Sequence, residues 1–293
     1  MEYCNFNLGF MEDWSPQQAY DQAHQLVLKQ TYAKPESHAK HATILYGMPA
    51  SGKSTIAQTL LEKDESSIYL SIDDIYTQSP HYAELLTPQR FNERKAPFEN
   101  QEFIEYGFDV LNYALQELAQ RNNSVILDGV SGRLIPQLYT YFRSHNFAPQ
   151  ILNVVVPKRV MDMNMLTRYV MVRQHNENHF SFALPRPPEL VKLYTQNLDS
   201  YQKEKLNLKL INPQTATILY DTEQKSSCQA SDAFLHELYR PLTPDETEKM
   251  KDRQRVLLKQ VEKFSALTER RQLTNAINCC LLPFVNKDIS YTK

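Results

Sequence analysis

At 293 residues the chain exceeds one small domain, and a formal net charge of −2 argues against a dedicated nucleic-acid binder, which needs basic excess to neutralise phosphates. Hydrophobic residues make up 42% and charged residues 23%, enough for a large packed core and unlike a disordered chain. No apolar run nears the roughly 20 residues that span a bilayer, so membrane insertion is not expected.

The first residues, Met1-Glu2-Tyr3-Cys4-Asn5-Phe6, have neither a basic n-region nor an apolar core, so no secretory signal is expected. Ser15-Pro16-Gln17-Gln18 joins an N-cap serine, a proline at the first helical position and a glutamine at the third, predicting a helix to about Lys29. A polar link leads into residues 42–46, an apolar run that reads as a buried strand. Gly47-Met48-Pro49-Ala50-Ser51-Gly52-Lys53-Ser54 follows, and residues 55–61 read as a helix. Strand, glycine loop and helix together form a nucleotide-phosphate loop: backbone N–H groups cradle phosphate oxygens, and the helix N-terminus adds positive potential. Residues Gly47 to Thr55 are the candidate nucleotide contacts, with Lys53 reaching the β/γ-phosphates and the Ser54 hydroxyl on Mg²⁺.

Residues 67–72 read as the second strand, ending at Asp73 and Asp74. Phosphoryl transfer needs its nucleophile positioned and its proton removed. A carboxylate beside the γ-phosphate pocket does both, help typically of ~10²–10⁴-fold in rate. Pleating sends neighbouring residues to opposite faces. Asp73 is the favoured base, and Asp74 is its rival, placed on the acceptor side. Thr87-Pro88 starts a helical stretch, and Phe103, Ile104, Phe108, Leu111, Leu115 and Leu118 recur at helical spacing up to Arg121.

The third strand, residues 125–128, ends in Asp128 and runs into Gly129-Val130-Ser131-Gly132-Arg133. Two readings of Asp128 stand side by side: an outer-shell role near Mg²⁺, or a hydrogen bond to the acceptor. With Gly129 it forms the candidate acceptor loop. Arg133 either meets a substrate phosphate through its planar fork or is solvated. A crossover helix over 135–145 leads to a fourth strand over 152–156. Helices over 160–173 and 189–206 precede a fifth strand over 215–220. Strands alternating with helices predict a doubly wound, mostly parallel α/β sheet of about five strands with helices on both faces. Its ligands should sit beyond the carboxyl ends of the strands. Arg168 and Arg173 lie on a helix that either closes over the phosphates as a lid or simply leaves its arginines solvated. Four of the six glycines fall in the two loops after strands one and three, which marks them as the site.

Other patterns are weaker. In His175-Asn176-Glu177-Asn178-His179 the glutamate is misplaced for a zincin, and a polar lid loop is the better reading. Asn286-Lys287-Asp288 lacks one residue of a guanine-specificity box, and Asp128 lacks the spacing of a GTPase switch. Pro185-Arg186-Pro187-Pro188 reads as a helix start rather than a PxxP ligand. Thr243-Pro244-Asp245-Glu246 is a second capping box, opening a helical tail with Leu257, Leu258, Val261 and Phe264 on one stripe. Cys4, Cys228, Cys279 and Cys280 show no CxxC spacing, so a reducing cytoplasm is expected, the producing cell's or a host's if the protein is a delivered effector.

Five of these segments, in order, resemble the zeta-toxin family of P-loop kinases. They are the phosphate loop; Ser71-Ile72-Asp73-Asp74-Ile75-Tyr76; residues 125–133; Val156-Pro157-Lys158 leading to Leu166-Thr167-Arg168-Tyr169; and Leu184-Pro185-Arg186 before a helix. The resemblance covers about residues 42–221. It implies a P-loop kinase fold and ATP- and Mg²⁺-dependent phosphorylation of a hydroxyl, with UDP-N-acetylglucosamine as the family's characteristic small-molecule acceptor. Lys53 and Ser54 would hold phosphate and Mg²⁺, Asp73 would be base, Asp128 would contact the acceptor and Arg168 would be a lid arginine. A small helical antitoxin that blocks the ATP site is a further implied partner.

There are departures. Asp128 replaces a glutamate, shortening the reach to the acceptor. Ser181-Phe182 stand where the family has a second lid arginine, a part left to Arg173 or Arg186. Residues 223–293 are not covered, which suggests a helical segment at 1–41, a kinase core at 42–222 and a helical extension. A polynucleotide 5′-kinase, with Tyr76 where its arginine would stand, and an ATP-binding interaction module with vestigial catalysis remain as alternatives.

Overall fold

Short apolar runs pair side by side into a six-stranded sheet. The computed structural model describes residues 16–32, 34–37, 39–78, 101–174, 188–224, 228–264 and 267–282. Strands β1 (His41–Tyr46), β2 (Ile68–Ser71), β3 (Val125–Asp128), β4 (Ala148–Val154), β5 (Leu208–Asn212) and β6 (Thr217–Asp221) take the order β2-β3-β1-β4-β5-β6. All pairs are parallel except β5 with β6. β1 is central. The chain builds β2 and β3 on one side of it and β4 to β6 on the other, so the loop after β1 opens at the point where the winding reverses.

The described residues form ten α-helices: α1 (Pro16–Thr31), α2 (Lys53–Lys63), α3 (Ile72–Thr77), α4 (Gln101–Ala119), α5 (Ile135–Ser144), α6 (Lys158–Gln174), α7 (Pro188–Lys203), α8 (Ala230–Tyr239), α9 (Pro244–Val261) and α10 (Leu267–Cys279). Alternation along the strands divides the core in two. Ala42, Ile44 and Tyr46 of β1 join the larger core with residues of α1, α4, α5, α6 and α7. Leu45 faces the other way, joining Ile126, Leu152 and Val154 under Ile56 and Ala57 of α2. No described helix is long and apolar enough to cross a membrane.

Two expectations are corrected. The second strand stops at Ser71, and residues 72–77 turn into α3, because the Ser71 hydroxyl accepts the Asp74 N–H at 3.3 Å and caps a helix. Asp73 and Asp74 therefore occupy the first turn of a helix, not a strand tip. The helix expected to run to 206 also stops at Lys203, and β5 follows almost at once, so the expected sheet of about five strands has six. α7 ends with Lys205 in the left-handed region at φ 56, and the Leu206 N–H bonds back to the Tyr201 carbonyl at 3.0 Å. That helix ending usually takes glycine, and none marks it here. Residues 208–212 then alternate buried and half-buried, as a strand does.

The first and last described helices and their neighbours tie into this sheet. Ala19, Ala23 and Val27 of α1 are buried. The Gln30 amide of α1 bonds both the Tyr69 carbonyl (2.6 Å) and the Tyr69 N–H (2.9 Å), covering the open edge of β2. At the other end Thr243 and Glu246 form the expected capping box. Arg240 joins Glu237 (2.9 Å) to Glu246 (2.6 Å), and the Asn212 amide at the end of β5 donates to Glu237 at 2.6 Å.

Candidate active site

The loop from Gly47 to Gly52 is held open by backbone that few residues tolerate. Gly47 sits at φ 148, and a Cβ there would lie 2.4 Å from the Val154 carbonyl oxygen of β4. Only glycine lets β1 turn this close to its neighbour. Ala50 lies at φ 64, its carbonyl taking the Asn164 amide of α6 at 3.0 Å. Gly52 caps α2 with no side-chain bond, so the first N–H groups of the helix have no side chain on them. The Ser51 hydroxyl is buried with no partner. The Lys53 ammonium folds back onto the Gly47 carbonyl at 3.0 Å and the Met48 carbonyl at 3.4 Å, while Ser54 and Thr55 face solvent. Free N–H groups, a bare hydroxyl and an ammonium resting on weak neutral acceptors form a donor set suited to an anion.

Three carboxylates gather opposite this loop. Ser71 pairs with Asp128 across β2 and β3, which brings α3 next to the end of β3. Gly129, at φ 84, lets the chain turn there; a Cβ would meet Ile72 at 2.3 Å. Asp128 is buried, one oxygen taking the Gly129 N–H at 2.7 Å and the other the Tyr69 hydroxyl at 3.2 Å. Asp73 is exposed to solvent on one side. Even so, desolvation by the surrounding walls and the Asp128 charge push its carboxyl above the usual carboxylate range, against the pull of Lys53 and Arg168. Asp74 is pushed up by desolvation and Asp128. Asp73 thus shares one electrostatic neighbourhood with Lys53 of the loop, Asp128 and Arg168 of α6.

A family model described as zeta toxin matches residues 24–223, the span that holds the loop, the three aspartates and Arg168. The chain belongs to the zeta toxin family.

Zeta toxins are a family of kinases, and the six-stranded sheet with helices on both faces is their P-loop kinase-like fold. A solved structure from a study of the PezAT chromosomal toxin–antitoxin system of the human pathogen Streptococcus pneumoniae shares that fold. It is 15% identical at a TM-score of 0.71, covering 86% of this chain and 100% of that one. Another, of AvrRxo1-ORF1 with ORF2 and ATP, is 12% identical at a TM-score of 0.49, covering 92% and 89%. No curated protein matches the chain.

Against this zeta toxin frame, Lys53, Asp73, Asp74, Asp128 and Arg168 come together, and Gly129 serves their approach. Arg133 is exposed on a short 3₁₀ turn (Gly132–Leu134), with no partner described. Arg173 falls within α6, but its side chain lies outside the described residues, as do Arg186, the 175–187 segment, Thr87-Pro88, Ser15 and residues 286–288. Several supporting residues escaped the sequence reading. Tyr194 of α7 donates to the Gly47 carbonyl at 3.0 Å, Asn197 to the Tyr46 hydroxyl at 2.8 Å, and Tyr201 to the Gly132 carbonyl at 2.5 Å. Tyr69 anchors Asp128. The Ser71 cap has a signal in the sequence, Ser-x-x-Asp, a helix-start pattern set inside an apolar run.

Proposed function

We propose that this protein is an ATP-dependent kinase that phosphorylates an alcohol group of a small molecule. The observation that carries the reading is Asp73, whose carboxylate shares its surroundings with the loop lysine and the helix arginine. The N–H groups of residues 47–55 and Lys53 would bind the triphosphate. Ser54 would hold Mg²⁺, which supplies charge neutralisation at the β/γ-phosphates when bound. Asp73 would accept the acceptor's hydroxyl proton as that oxygen bonds the γ-phosphorus and the bond to the β-bridging oxygen breaks, releasing ADP. Arg168 would stabilise charge on the transferring group. A carboxyl held above its usual range makes a stronger base once ionised, which suits this part.

The acceptor we favour is a sugar nucleotide of the UDP-N-acetylglucosamine kind, contacted by Asp128, Gly129 and Arg133, with Asp74 on the same side. Residues 42–222 would carry the chemistry, flanked by a helical segment and an extension that support it. We place the protein in a cytoplasm, its own or a host's, with an inhibitory antitoxin as a partner. Incubation with ATP·Mg²⁺ and a panel of acceptors, read by mass, should show a product gaining one phosphate. Lys53→Ala and Asp73→Ala should each lower turnover at least a hundredfold while the fold persists, the scale of general-base help. Full turnover in the Asp73 variant removes Asp73 from that part. ATP binding without product from any acceptor would leave a nucleotide-binding module.

A further inference from the structure

Arg253 lies on α9, in the extension beyond the family match, yet two hydrogen bonds in series join it to the phosphate loop. Its guanidinium donates to the Asn164 side-chain oxygen of α6, and the Asn164 amide N–H donates to the Ala50 carbonyl at 3.0 Å. A guanidinium only donates and a carbonyl only accepts, so the two partners fix which way the Asn164 amide faces. We infer that Asn164 and Arg253 are positioning residues for ATP binding: Asn164 holds the Ala50 carbonyl, and Arg253 holds Asn164. The inference rests on the reading that the loop takes a nucleotide.

Ala50 needs such a hold. The Ser51 N–H closes a turn on the Met48 carbonyl at 3.2 Å, with Pro49 and Ala50 at its middle. Ala50 sits at φ 64 after a proline, which makes a type II turn, and its place there suits glycine. A side chain makes that conformation costly, so contacts outside the turn must support it. The peptide plane from Ala50 to Ser51 is pinned on both edges, its N–H on Met48 and its carbonyl on Asn164. The extension is firmly seated where it reaches α6. Leu257 and Val261 of α9 share a buried core with Leu166 and Val170 of α6, and the Gln174 amide donates to the Gln260 carbonyl at 3.3 Å.

Arg253→Met removes the guanidinium and keeps an apolar stem, and Asn164→Leu removes both bonds at similar size. Calorimetry on the whole chain with ATP·Mg²⁺ should find Asn164→Leu binding about tenfold more weakly than the parent and Arg253→Met about threefold. Adding Arg253→Met to Asn164→Leu should cost nothing further, because the arginine acts through the asparagine. Denaturation curves confirm that each variant is folded at the temperature of the titration. Should Asn164→Leu not fold, Asn164→Ala removes the same two bonds and takes its place in the comparison. Lower stability with unchanged ATP affinity would make the two bonds mere packing and overturn the inference. An equal loss from Arg253→Met in both backgrounds also overturns it, since the cation would then act on ATP directly. Absence of ATP binding by the parent overturns the nucleotide reading and the inference with it; binding by the parent without the coupling overturns the inference alone.

Discussion

Asp73 holds a charge that desolvation and two neighbouring carboxylates oppose and that Lys53 and Arg168 favour. Desolvation and the nearby Asp128 raise its pKa in the folded chain, and the unfolded chain keeps the ordinary carboxylate value. Between those two values the folded state binds more protons than the unfolded, so stability falls as pH rises through that window and stays lower above it. Asp73→Asn should therefore raise the melting temperature at neutral pH, with the gain vanishing below the ordinary carboxylate range. Melting curves at several pH values check this; no gain at neutral pH would mean the carboxylate is not strained. Enzymes often accept such a penalty at a base. Lys53, Asp73 and Arg168 were readable as site residues because each lies in a short pattern with its own chemistry. Tyr194 was not: it is one tyrosine among seventeen, and its partner lies 147 residues away in sequence.

At the scale of elements, α3 is the part that converts a strand end into a site. It is six residues long and carries both aspartates in its first turn. So short a helix has little stability of its own and leans on its cap and on packing. Ser71→Ala should cost about 1 kcal/mol of stability by the loss of that cap. It should also lower kcat more than it raises KM for ATP, because the displaced group is the base rather than the phosphate loop. Steady-state kinetics beside a denaturation curve separate the two effects. The sequence reading extended β2 to Ile72 because apolar residues continue past Ser71, and a run of four to six such residues does not declare its period. It missed β5 for the opposite reason: a left-handed turn at Lys205, without glycine, hid where α7 ends.

Across the whole molecule, residues beyond the family match are not an ornament. Phe234, Leu238, Met250, Leu257, Val261, Leu273 and Ile277 lie in the same buried core as β1 and α7. α9 and α10 bear on α6, the helix of Arg168: Arg253 bonds the Asn164 side chain, and Tyr169 donates to Glu269 at 2.8 Å. The Arg240 cluster fastens α8 and α9 to the end of β5, and hydrogen bonding to Arg240 holds the Glu246 carboxyl below its usual range. That depressed pKa contributes stability above the ordinary glutamate value, which is lost as pH falls through the native one. Arg240→Met leaves two carboxylates without their cation and should cost about 3 kcal/mol at neutral pH. It should also flatten the acid side of the stability profile; denaturation at two pH values measures both.

The phosphate loop, the aspartate pair, the alternation of strands and helices and the family they announce were all present in the linear chain, because each depends on residues within a few positions of one another. Which helix turn bears the base, what holds its loop, and how the terminal helices grip the sheet were decided only on folding. The loop is held by partners 147 and 114 residues away, and the terminal helices by partners 39 and 25 residues away, so a short-range pattern carries no record of them. The turn that bears the base hangs on a local cap set inside an apolar run.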